Sequence, residues 1–66
     1  MNIMVTMRNH QQEIQLADYA TGTDLLVQLD LTAEQAILIV DGRPVPHTEQ
    51  LPTGIPVKIV QVASGG

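Results

Sequence analysis

Five consecutive apolar residues, Ala36-Ile37-Leu38-Ile39-Val40, run directly into Asp41-Gly42, and this junction limits the fold more than any other part of the chain. The run is too short and too β-branched to favour a helix, so it is read as a buried strand. A type I′ turn needs positive φ at both central residues, which Asp-Gly tolerates, so the chain should reverse at 41–42. Arg43-Pro44-Val45-Pro46 would then return as a short strand. Its two prolines lack amide donors, which places it at a sheet edge. At 66 residues the sheet belongs to one small domain, of a size that buries only about 60% of the unfolded surface.

Two further stretches show period-two alternation. Ile3, Val5 and Met7 alternate with Met4, Thr6 and Arg8, and after the polar stretch 9–12 the pattern resumes with Ile14 and Leu16. These predict an opening hairpin. Thr21-Gly22-Thr23-Asp24 then supplies capping oxygens and an early carboxylate for a helix over about Thr23 to Asp30, with Leu25, Leu26 and Leu29 on one face. Thr32-Ala33-Glu34-Gln35 has capping-box spacing, but the residues after it are strand-like, so a turn is expected there. Val57 to Val62 forms the last strand. The order strand, strand, helix, strand, short strand, strand is that of the β-grasp, an α+β fold in which a mixed four- to five-stranded sheet wraps around one helix. Residues 1–62 make the domain and 63–66 a C-terminal di-glycine tail. With the last strand parallel to the first, the tail should leave beside the turn at Asn9-His10, and four residues extend at most roughly 13–14 Å.

The composition narrows the function. Three basic residues, Arg8, Arg43 and Lys58, stand against seven acidic ones for a formal charge of −4. That is too few cations for several phosphate contacts, so no direct nucleic-acid partner is expected. The N-terminal residues lack a basic leader and their apolar run is broken by Asn2 and Thr6, which argues against a signal peptide or a membrane partner. The absence of cysteine fits a reducing compartment, and a cytoplasmic monomer is expected. No catalytic residues emerge: the sole serine is Ser64, and His10 and His47 stand in separate loops without acidic neighbours, so neither a triad nor a metal site is expected. Gly22, Gly42 and Gly54 fall in separate turns and form no phosphate-binding loop. The chain is read as a carrier, not an enzyme, with no bound cofactor.

The chemistry therefore concentrates at the terminus. A backbone carboxylate has a reference pKa of about 3.3–3.7 and, once ionised, can attack the α-phosphate of ATP to give an acyl-adenylate. Gly65-Gly66 suits such a reaction, because two residues without Cβ can thread a narrow channel. At an average glycine usage of about 7%, two terminal glycines arise by chance in roughly 0.5% of chains, so the pair draws its meaning from the fold before it.

Here the sequence resembles the small archaeal ubiquitin-like modifiers, within the superfamily of ubiquitin and the sulfur carriers of thiamine and molybdopterin synthesis. The resemblance rests on Val40-Asp41-Gly42-Arg43-Pro44-Val45-Pro46, on Val57-Lys58-Ile59-Val60-Gln61-Val62, on the four residues ending in Gly65-Gly66, and on the helix start Asp24-Leu25-Leu26. It implies a ubiquitin-like β-grasp. It also implies an adenylating activating enzyme that uses ATP and admits Ser64 and Gly65, leaving Gly66 to form a thiocarboxylate or an isopeptide bond. A thiocarboxylate would bring sulfur donor and acceptor enzymes as partners, for tRNA thiolation or for molybdopterin or thiamine synthesis, whereas an isopeptide bond would join target lysines. Ala63-Ser64 lacks the basic residues that precede the glycines in ubiquitin.

If Val57 and Ile59 face the helix, Val60 and Val62 face outward beside Ile37, Ile39 and Met4, as a patch for the activating enzyme. Lys58 is the single lysine, hence the candidate acceptor for side-chain-linked chains. The competing reading is a non-covalent β-grasp binding module that uses this patch and for which the glycines are incidental.

Overall fold

The computed structural model describes residues 1–62, so the expected tail at 63–66 lies outside the described residues. The strands are β1 (Asn2–Met7), β2 (His10–Gln15), β3 (Ala36–Val40), β4 (Arg43–Val45) and β5 (Val57–Gln61), with one helix, α1 (Gly22–Gln28), between β2 and β3. They form a single sheet in the order β2-β1-β5-β3-β4. The central pair β1 and β5 runs parallel, with Val5, Thr6 and Met7 beside Val57, Lys58 and Ile59. All other pairings are antiparallel. The mixed sheet wrapped on one helix is the expected β-grasp, with five strands.

Alternation sorts each strand into two faces. Ile3 and Val5 of β1, Leu38 and Val40 of β3, and Val57 and Ile59 of β5 point to the helix, where Leu25 and Leu26 meet them with Leu51 from the loop after β4. No charged or polar residue is buried among the described residues, so the interior is held by apolar packing alone.

The helix is tied at both ends. Thr21 is its N-cap and closes a capping box with Asp24: the Asp24 amide donates to the Thr21 hydroxyl, and the Thr21 amide to the Asp24 carboxylate at 2.9 Å. The Gly22 amide donates to the Glu49 carbonyl at 3.1 Å and the Thr23 amide to the His47 carbonyl at 2.8 Å, so the loop after β4 straps the first turn. Gly22, expected in a turn, is thus a helix residue. The helix is also shorter than the expected Thr23–Asp30, because Asp30 takes a φ of 60° and reverses the chain. The Thr32–Gln35 box does form a turn, in which the Gln35 side chain accepts from the Thr32 amide at 3.1 Å.

Of the two hairpin turns, one differs from expectation. The first hairpin turns at Arg8-Asn9, with Met7 paired to His10, and the polar residues Gln11 and Gln12 belong to β2. His10 is accordingly a strand residue, not a loop residue. The second turns at Asp41-Gly42 as expected, with φ of 55° and 80°. β4 with its Pro44 lies at the sheet edge.

Candidate functional site: the outer sheet face and the end of β5

The face of the sheet turned away from the helix carries every described candidate residue. Antiparallel register sets Ile37 across from Val60 and Ile39 across from Lys58. Parallel register puts Thr6 on the other side of Lys58. Lys58 therefore stands in the middle of the face, flanked on both sides. Directly opposed residues have Cβ atoms about 4.5–5.5 Å apart, so Ile39 packs alongside the lysine stem. Val60 follows two residues on, roughly 6.6 Å along the strand.

The expected apolar patch is present, with one rearrangement. Ile37, Val60 and Val62 are 43%, 38% and 41% exposed, and Ile39 is half-buried. Met4 is also exposed but does not lie beside Val60. The β1–β5 register places it toward the start of β5, where it lines a separate small recess with Ile55 and Pro56. Sequence alternation assigned Met4 to the correct face but could not give the stagger between strands.

Three residues outside the expected patch complete the site. Arg8, Ile55 and Pro56 line one shallow depression together with Ile39, Lys58 and Val60. Arg8 could have been found from its alternation with Met4 and Thr6. Ile55 and Pro56 come from a loop with no periodicity to reveal them. Arg8 and Lys58 are two of the three cations of an acidic chain, and among the described residues neither forms an ion pair. Asp41 lines the same depression. No cluster of potential metal ligands occurs among the described residues.

At the end of β5 the chain is held by a hydrogen bond from the Val62 amide to the Gln35 carbonyl at 2.8 Å. Arg8 and Asn9 lie beside Ile59, Val60 and Gln61. The described chain thus ends at Val62 on the side of the first hairpin turn, as the parallel pairing of β1 and β5 requires. Ser64, Gly65 and Gly66 lie outside the described residues.

The architecture is ubiquitin-like. A solved ubiquitin-like protein from the hyperthermophilic archaeon Caldiarchaeum subterraneum superposes with a TM-score of 0.64, covering 98% of this chain and 100% of that one, at 18% identity, a likeness of fold alone. The model of the small archaeal modifier protein 2 family matches residues 1–62. Small archaeal modifier protein 2 of Haloferax volcanii is 31% identical over 67 residues, covering the whole of both chains. The chain belongs to the small archaeal modifier protein 2 family, and so is a small archaeal ubiquitin-like modifier.

Proposed function

We propose that this protein is a substrate of activation rather than a catalyst, and that its working group is the carboxylate of Gly66. The observation that carries the reading is the position of Gly65-Gly66 in a chain of this family, three and four residues beyond Val62, whose amide is pinned to the Gln35 carbonyl. Four extended residues reach roughly 13–14 Å, enough to leave the globule and enter another protein's site. Ser64 and Gly65 would occupy the channel leading to that site.

The chemistry proceeds in two steps. A Gly66 carboxylate oxygen attacks the α-phosphorus of ATP bound by an adenylating enzyme, and pyrophosphate leaves. The resulting acyl-adenylate has AMP as a leaving group. A target lysine amine attacks the acyl carbon, loses a proton and expels AMP, giving an isopeptide bond. Hydrosulfide released by a donor enzyme, attacking the same carbon, expels AMP, loses its proton and gives a thiocarboxylate that an acceptor enzyme can use. The modifier activity named for the Haloferax relative favours conjugation, and the shared intermediate leaves sulfur transfer open to the same protein. The ATP is held by the activating enzyme, so in this reading the chain works in the cytoplasm with no cofactor of its own.

The outer face is the docking surface for the activating enzyme in this reading. Ile39 and Val60 with Val62 beyond them supply apolar contact, and Arg8 and Lys58 favour a partner surface with acidic groups. Intact-mass measurement of the protein from its native cell tests the whole scheme. Conjugate ladders or a sulfur-for-oxygen exchange are expected, and both should vanish on deletion of Gly66 while the fold persists. Absence of both species in cells with an active activating enzyme would favour the non-covalent binding module instead.

A further inference from the structure

Lys58 is placed to serve two purposes that compete. It is the only lysine of the chain, and it stands between Thr6 and Ile39 at the centre of the outer face. We propose that conjugation at Lys58 and activation at Gly66 exclude each other within one copy. A copy that carries another on Lys58 cannot be charged, so chains grow one copy at a time at the far end and a preformed chain is not activated as a block. The inference rests on the reading that Gly66 is adenylated by an enzyme docked on the outer face.

The exclusion follows from size and charge. Five strands spaced about 4.8 Å apart, the longest of six residues and the shortest of three, at about 3.3 Å per residue, give a face of at most roughly 20 × 24 Å. An ordinary protein interface takes about 800 Å² from each partner, more than this whole face. Any such interface centred on Ile39 and Val60 covers Lys58. The partner's chemistry follows from the charge distribution: two cations, Arg8 and Lys58, and one acid, Asp41, line this depression in a protein of net charge −4, so the enzyme surface should be apolar at its centre and acidic opposite Arg8 and Lys58.

Conjugation removes the features that surface would recognise. The deprotonated Lys58 amine attacks the acyl carbon of a second copy's Gly66 adenylate. A C–N bond forms, the C–O bond to AMP breaks, AMP leaves with the electron pair, and the nitrogen gives up one proton. The cationic ammonium becomes a neutral amide, and a peptide strand now rises from the middle of the face. The attached copy measures 35 × 24 × 21 Å, and its tail extends at most roughly 13–14 Å, so it remains over the surface the enzyme needs.

A chain without natural cysteine allows a direct test. Lys58→Cys is capped either with a methylthio group or with a polyethylene glycol maleimide of about the protein's own mass, and Gln28→Cys on the helix side carries the same polymer as control. The readout is protein-dependent ATP–pyrophosphate exchange by the activating enzyme of the same cell. The Gln28 polymer should leave exchange within a few-fold of the unmodified protein, and the methylthio cap measures what loss of the Lys58 cation alone costs. The Lys58 polymer should lower exchange by about 30-fold or more below that of the methylthio-capped variant, the loss that accompanies removal of one hot-spot residue. Equal exchange with the polymer at either position would overturn the exclusion. If Val60→Asp abolishes exchange while the Lys58 polymer does not, docking stands and exclusion falls. No exchange by the unmodified protein would overturn the activation reading itself, and the inference with it.

Discussion

Gly22 on the helix and Leu38 on β3 approach so closely that a β-carbon added at the glycine would fall 2.3 Å from Leu38 Cδ1. The His47 backbone closes the other side, with its α-carbon at 2.9 Å and its carbonyl oxygen at 3.0 Å. The glycine therefore sets how near the helix can sit to the sheet. Leu38 could rotate away, but the His47 backbone is fixed by its hydrogen bonds from the Thr23 amide and hydroxyl.

Gly22→Ala should destabilise the domain. Overpacking costs typically about 1–3 kcal/mol, and the helix preference of alanine over glycine returns at most about 1 kcal/mol. A net loss of about 1–2 kcal/mol is expected, read as a fall in Tm of about 4–8 °C per kcal/mol for a domain this small. An unchanged Tm would show that the strap at 46–51 yields freely.

Asp30→Gly should act in the opposite direction. The Asp30 amide donates to the Val27 carbonyl and the Leu31 amide to the Leu26 carbonyl at 2.8 Å, a Schellman ending with Asp30 in its left-handed position at φ 60°. A side chain there costs roughly 1–2 kcal/mol relative to right-handed backbone, and a carboxylate at a helix C-terminus is disfavoured by the dipole. Glycine removes both penalties but gains freedom in the unfolded chain, so a net gain of about 0.5–1 kcal/mol is expected. Chemical denaturation should show a higher midpoint with an unchanged slope.

The order of elements was legible wherever side chains alternate in and out. Ala36–Val40, the Asp41-Gly42 turn and Val57–Gln61 could be read because both their hydrophobic pattern and their turn chemistry point the same way. β2 was only half legible. Its Gln11, Gln12 and Glu13 are exposed on an edge strand, held by backbone pairing to β1, and backbone pairing leaves no mark in side-chain polarity. The helix end was misplaced because an aspartate, not a glycine, occupies the left-handed position after it. At the candidate site, Ile39, Lys58 and Val60 followed from parity along β3 and β5. Their meeting with Arg8 and Ile55 depends on the β1–β5 stagger and on a loop, neither of which is written in local sequence.

Val60→Asp should separate folding from recognition. Val60 is 38% exposed and faces away from the core, so the change should cost the fold no more than about 1 kcal/mol, the span of strand propensities. In a docked interface the same carboxylate would be buried beside apolar contacts without a partner, at a cost of about 2 kcal/mol or more, or about 30-fold in affinity. The expected result is a near-normal Tm with adenylation reduced by about that factor. Ile37, directly across the β3–β5 ladder, should give a weaker loss on replacement by Asp, because it does not line the depression that holds Arg8 and Lys58.

Lys58→Arg distinguishes the lysine as acceptor from the lysine as contact. Arginine keeps the cation and an apolar stem beside Ile39, but its guanidinium stays protonated and does not attack an acyl-adenylate. Activation at Gly66 should therefore persist within a few-fold, since the charge of the face is retained. Single attachment to other proteins should persist as well. Any ladder in which one copy is linked to the side chain of another should disappear, because the chain holds no second lysine. Mass spectrometry of digested conjugates would check this by the loss of branched peptides at residue 58. Side-chain-linked ladders surviving in Lys58→Arg would mean that copies join through another residue, and would remove the acceptor role assigned to Lys58.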